Sequence, residues 1–261
     1  MLVLYHGEPN GPSLSVLAML AECGLEGQIE TRPINLLAGE RHTIPGIAEP
    51  LARDIGVEGE GPLLVVDGEA CQESVFLAQY LDEVAGAGLQ PKDAYTHWQM
   101  MMWCRRITER CAPAAAFLGN QAYAAPVLAA MDDAAFDAII APIASADLHQ
   151  RWADTRSGAF PDAARTDSRA KIADAAALVE TQLADGREWL IGPLTIADFE
   201  TYGWLVGMVD LMPDTFAEKS LTRAWMARMA ARPSVQSALA RAGVTHPERV
   251  WAPGPEINRW G

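Results

Sequence analysis

Two stretches of the chain carry residue types whose spacing can do chemistry. Residues 61–74 read GPLLVVDGEACQES. Pro62 opens a short apolar strand, Asp67-Gly68 is a hairpin turn, and Glu73-Ser74 stands at the head of the helical run VFLAQYLDEV. Proline gives up a backbone donor, and only about 5–6% of X–Pro bonds in folded proteins are cis. An isolated Gly-Pro pair therefore reads as a plain turn. Here the proline abuts the strand and the hairpin ends in Glu-Ser, which predicts a cis Gly61–Pro62 bond. Such a bond turns Leu63 so that its N–H and C=O can pair with a bound peptide as an added strand. Ser74 reads as the helix N-cap, and the free amides of a helix N-terminus attract anions. In the second stretch, LYHGEPNGPSLS, Ser13 follows the first strand and fits another N-cap at the first turn of a helix. Asn10 and Ser15 flank it.

The elements that must position these residues alternate at first. LVLYH is a buried strand, and LSVLAMLAECG has the helical period with Gly24 near its stop. Residues 28–35 form a loose strand that Pro33 assigns to an edge, and a short helix is expected around 46–54. The hairpin 63–72 and a helix from Ser74 complete a β-α-β-α-β-β-α order. The first crossover is parallel and right-handed, and the hairpin is antiparallel. From about residue 93 to 245 the text is helical throughout. LTIADFETYGWLVGMVDLM is its most apolar segment, and Thr195 and Asp198 form a capping box there. We therefore expect a small α/β domain over 1–86, an all-helical domain over 93–245, and an irregular tail over 246–261 in which Trp251 and Trp260 either lid a pocket or pack on the bundle.

Charge and cysteine usage narrow the function classes. The chain of 261 residues has 20 Lys and Arg against 34 Asp and Glu, a formal net charge of −14. Such a surface repels phosphate backbones and anionic lipids, which argues against nucleic-acid or membrane partners. The N-terminus lacks the basic and apolar pattern of a signal peptide, and no run of about 18 apolar residues occurs. Cys23, Cys71, Cys104 and Cys111 form no C-x-x-C pair, so they read as reduced thiols of a cytoplasmic protein. The histidines, His6, His42, His97, His149 and His246, show no ligand spacing, and no metal is expected.

The order of elements, with GPLLVVDGEACQES and EWLIGPLTIADF, resembles the glutathione transferase superfamily over nearly the whole chain. LYHGEPNGPSLSVLAMLAECGLE, LQPKDAYTHWQMMMWCRR and LHQRWADTRSGAFPDA look most like the bacterial β-etherases that cleave lignin-derived aryl ethers. The resemblance implies an α/β thioredoxin-like N-terminal domain with an all-α C-terminal domain, and glutathione as co-substrate. Pro62 and Leu63 would pair with its cysteinyl unit, Ser74 and Glu73 would receive its γ-glutamyl carboxylate and ammonium, and Arg41 and His42 would hold its glycyl carboxylate. The family places Tyr, Ser, Cys or Asn in the loop after the first strand. Ser13 is accordingly the residue expected to favour the thiolate, with Asn10 and Ser15 in reserve. Met101, Met102 and Arg105 either belong to the core or line an aromatic-substrate pocket. The implied reaction is displacement of a phenol from an aromatic ether by glutathione thiolate. Pro12 departs from the family pattern and removes an amide donor. It keeps open a weakly catalytic or non-catalytic subunit of a heterodimer, beside a homodimer and beside a general transferase for xenobiotic electrophiles.

Overall fold

The computed structural model describes residues 2–53, 61–247, 250 and 254–256. Strand β1 (Leu2–His6) leads into helix α1 (Gly11–Glu22), and β2 (Glu30–Pro33) returns parallel to β1. Helices α2 (Glu40–Thr43) and α3 (Pro45–Arg53) precede the hairpin β3 (Leu63–Val66) and β4 (Glu69–Cys71), which ends in α4 (Ser74–Ala85). The sheet order is β2-β1-β3-β4, with β3 antiparallel to both neighbours. Pro33 thus lies on an edge strand, as its missing donor requires. Val66 pairs with Glu69 across the Asp67-Gly68 turn.

Among the described residues every later element is a helix, apart from an isolated bridge between Trp189 and Gly192. Helices α5 (Ala94–Arg106), α6 (Ala112–Gly119) and α7 (Ala125–Ala129) run on through two π-helical turns, Ile107–Cys111 and Asn120–Ala124. They are followed by α8 (Asp133–Ile140), α9 (Ala146–Ser157), α10 (Asp162–Gln182), α11 (Ile196–Val206), α12 (Pro213–Ala217), α13 (Ser220–Ala230) and α14 (Pro233–Leu239). Among the described residues, no helix is long and apolar enough to cross a membrane.

Strand alternation divides the core. Leu4 and Leu64 face α1 and the helical half, whereas Val3, Tyr5 and Leu63 face Ile34, Leu36 and Ile47 on the other side of the sheet. A third cluster, Leu128, Phe136, Ile143, Leu148 and Trp152, joins α7, α8 and α9. Helix α11 begins with the expected capping box. Asp198 is 0% exposed. It accepts from Leu190 N–H at 3.0 Å, Thr195 N–H at 3.1 Å and Trp225 Nε1 at 3.0 Å, so the cap is also a hub for α13.

The sheet half and helical half meet where α1 crosses α11. A Cβ added to Gly203 would stand 2.6 Å from the Gly11 carbonyl and 3.3 Å from Ser15 Cβ. Gly203→Ala should therefore destabilise the chain by about 1–3 kcal/mol through overpacking, despite a helix-propensity gain of roughly 1 kcal/mol. Urea denaturation measures this, and a stabilised variant would show that the two backbones separate easily.

Candidate functional site

The loop after β1 turns at Gly7 and enters α1. The N-cap is Asn10 rather than the expected Ser13, because the glycine-proline pair 11–12 already starts the helix with Pro12 in its first turn. Ser13 is the third residue of α1, within its first turn, and is 0% exposed. Its Oγ accepts from Gly7 N–H at 3.1 Å. That bond fixes the hydroxyl at the end of β1 and does not use its proton, which can be donated to a ligand. Asn10 is also 0% exposed, and its Nδ2 donates to the Val250 carbonyl at 2.9 Å, so the C-terminal tail crosses the loop. Beside it, burial lowers the His6 pKa, which favours the neutral ring.

The Gly61–Pro62 bond is trans, as are all peptide bonds among the described residues, which corrects the cis expectation. The turn is made by Gly61 itself, at φ +54°. A Cβ there would meet Pro12 Cγ at 2.9 Å. Pro12, the residue that departs from the family pattern, thus seals the α1 turn against the β3 turn, and only glycine fits the contact. Leu63 pairs with Tyr5 of β1, while the β4 ladder begins at Leu64. Edge backbone beside Leu63 is therefore not covered by β4.

Ser74 is the first residue of α4, and Glu73, not Ser74, is its N-cap, at φ 71° and ψ 109°. A non-glycine residue held there is strained, and such strain gathers at ligand sites. Ser74 Oγ donates to Glu200 Oε1 at 2.8 Å, Ser15 Oγ donates to Glu200 Oε2 at 2.9 Å, and Trp204 Nε1 donates to Oε1 at 2.7 Å. One buried carboxylate from α11 therefore draws the first turns of α1 and α4 side by side. Desolvation raises its pKa, partly opposed by the three donors. Because both serine protons point at Glu200, an anion at the head of α4 would be received by main-chain amides of its first turn.

Arg41 and His42, adjacent in sequence, separate in role. Arg41 is 1% exposed. Its guanidinium donates to the Gly61 carbonyl at 2.5 Å and to Gln72 Oε1 at 2.7 Å, bracing both ends of the hairpin. His42 Nε2 lies 2.7 Å from Glu256 Oε1. Trp152 Nε1 donates to the same oxygen at 3.1 Å, and Arg151 Nη1 donates to the Glu256 carbonyl at 2.9 Å. The tail is thus clasped between α2 and α9. Trp251 and Trp260 lie outside the described residues.

The remaining candidates stand apart. Met102 and Arg105 line a cavity of about 450 Å³ with Trp98, Trp103 and Leu178, and none of Ser13, Pro62, Glu73 or Ser74 lines it. Met101 packs against the core, and Arg105 pairs with Glu109 on the exposed face of the helix. Three of the four thiols are held in the protonated form: burial pushes Cys111 up to about 12, Cys23 is pushed up to about 12 by burial and nearby acids, and burial raises Cys104. Sequence reasoning missed Glu200, although a lone Glu inside FETYGWLVGM was a legible signal. It also missed Glu256 and Trp152, whose partnership crosses 104 residues.

No protein-family model and no curated protein sequence matches the chain. Solved structures do. The β-etherase LigF from Sphingobium sp. strain SYK-6 superposes with a TM-score of 0.80 at 23% identity, covering 92% of this chain and 99% of that one. Glutathione transferase F7 from Populus trichocarpa gives 0.66 at 19% identity, covering 92% and 98%. A Pseudomonas putida glutathione transferase, with one glutathione disulfide bound per subunit, gives 0.62 at 20% identity, covering 93% and 92%. The fold is that of the glutathione transferases, with a thioredoxin-like sheet half and an all-helical half.

Proposed function

We propose that this chain is a glutathione-dependent β-etherase, cytoplasmic and dimeric. The observation that carries the reading is the pairing of two helix N-termini on Glu200, together with the Ser13 hydroxyl and the buried Leu63 position that the β4 ladder leaves unpaired. A peptide laid beside Leu63 can place its γ-glutamyl carboxylate at the head of α4 and its sulfur toward Ser13. The strained Glu73 is the acid beside the expected ammonium.

In the proposed reaction the Ser13 hydroxyl donates to the glutathione sulfur and favours the thiolate. The thiolate electron pair attacks the carbon that bears the aryloxy group, next to an activating ketone. A C–S bond forms, the C–O bond breaks, and its electron pair leaves on a phenolate. A phenol titrates near 10, so the leaving group needs little acid assistance and orientation is the main contribution. The likeness to LigF over nearly its full length supports the aryl-ether reading above general xenobiotic conjugation.

Thermal unfolding with glutathione tests the premise. At about 100 times its Kd the ligand should add roughly 2.7 kcal/mol to the stability of the native chain. No shift in the purified chain overturns the reading. A shift that needs a paralogous subunit favours a second reading, a non-catalytic member of a heterodimer, to which Pro12 points by removing an amide from the first turn of α1. Turnover of simple electrophiles but not of aryl ethers would identify a general transferase.

A further inference from the structure

The second π-helical turn holds an unexplained polar group. Asn120 opens that turn, where the Ala125 N–H reaches back five residues to the Asn120 carbonyl. Such insertions are frequent at functional sites. The side chain is 6% exposed, and its Oδ1 has no hydrogen-bond partner among the described residues. Buried polar atoms are normally satisfied.

Asn120 lines a cavity of about 120 Å³ with Phe117, Arg151, Thr155, Phe160 and Pro255. Phe117 and Phe160 meet edge-to-face, with centroids 5.2 Å apart and planes at 86°. Arg151 is already engaged by Asp147 and by the Glu256 carbonyl. Pro255 belongs to the tail segment that Glu256 clasps to His42 and Trp152, so the cavity adjoins the point where the tail is held between α2 and α9. A wholly apolar cavity of about 150 Å³ accommodates benzene; this one is of the same order, with Phe117 and Phe160 on its wall beside the polar Asn120, Arg151, Asp154 and Thr155, so it suits one six-membered ring that carries a polar substituent. The polar Asn120 selects a ring that carries a hydroxyl, which donates to Oδ1; a hydroxyl also serves the amide in its other orientation.

We infer that this cavity is a subsite for a single hydroxylated aromatic ring, with Asn120 as the residue that reads the hydroxyl. Its assignment to the aryl portion of the substrate rests on the displacement reading above; the site itself does not.

The test titrates the intact chain with phenol and with toluene, followed by calorimetry and without glutathione. Phenol should bind the parent more tightly than toluene. Asn120→Leu should weaken phenol about tenfold, the loss of one hydrogen bond, and leave toluene unchanged. Asn120→Asp keeps the acceptor and should retain phenol. Phe160→Trp, which enlarges a lining side chain at the expense of the cavity, should abolish both, and it reads the site even where Asn120→Leu does not fold. Phenol binding that is indifferent to both Asn120→Leu and Phe160→Trp overturns the inference, as does a parent that binds neither probe. If glutathione gives no thermal shift while phenol binding depends on Asn120, the etherase reading falls and the subsite stands. Glutathione-dependent turnover with phenol binding indifferent to both Asn120→Leu and Phe160→Trp gives the reverse.

Discussion

Alanine at Asp198 will lower the stability of the chain by about 3–5 kcal/mol. An ordinary N-terminal cap is worth about 0.5–2 kcal/mol. Asp198 does more, because its carboxylate accepts from Leu190 N–H, Thr195 N–H and Trp225 Nε1. Each buried donor stranded by the truncation costs about 1–3 kcal/mol, against a total stability of about 5–15 kcal/mol for a typical domain. Urea denaturation monitored by tryptophan fluorescence reads the loss. A cost below about 1 kcal/mol would mean that the three donors find other acceptors. A second readout follows from titration. Burial pushes Asp198 up to about 6 from 3.8, against its hydrogen bonds. The folded chain then holds a proton that the unfolded chain has released, so stability falls as pH rises from about 4 to about 6. Asp198→Asn should flatten that window. An unchanged slope would assign the dependence to another group.

On the displacement reading, Ser13→Ala will reduce kcat by about 100- to 1000-fold, the effect of removing one preorganised donor from developing or resident anionic charge. The KM for glutathione should change little, because the contacts proposed at Leu63 and at the head of α4 are main-chain. The bound thiol should also titrate higher, which ultraviolet thiolate absorbance measures directly. Removing Ser13 also strands the Gly7 N–H, so folding is checked by circular dichroism. Equal turnover in variant and parent would transfer the role to Asn10, whose amide already lies at the same loop.

What the sequence made legible was local. The Asp67-Gly68 hairpin, the edge position of Pro33 and the Thr195–Asp198 box each follow from residue types within a few positions of one another. What it hid depends on distant segments meeting. Gly61-Pro62 suggested a cis bond, but a glycine pressed on Pro12 makes the turn with a trans bond, and nothing near residue 61 announces that contact. Both helix starts shifted because a serine was given the cap. In α1 the Gly-Pro pair begins the helix earlier, and in α4 Ser74 instead turns its hydroxyl to a carboxylate 126 residues away. The Met102 and Arg105 stripe is legible only as composition, and the cavity it lines includes no residue of the Ser13 loop. Arg41 and His42 looked equivalent as cations, yet one props the hairpin and the other holds the tail.

Every residue of α1 from Gly11 to Leu20 is buried. A helix without a polar face has no stable life at a water boundary, and this one packs on Leu4 and Leu64 of the sheet and against α4, α11 and α14. The half that carries Ser13 is accordingly not a transplantable cassette. Severed near residue 86 it would bare an oily ridge to solvent, a patch of the sort that drives clumping. Transferring this chemistry to another scaffold would mean carrying the helical partner with it.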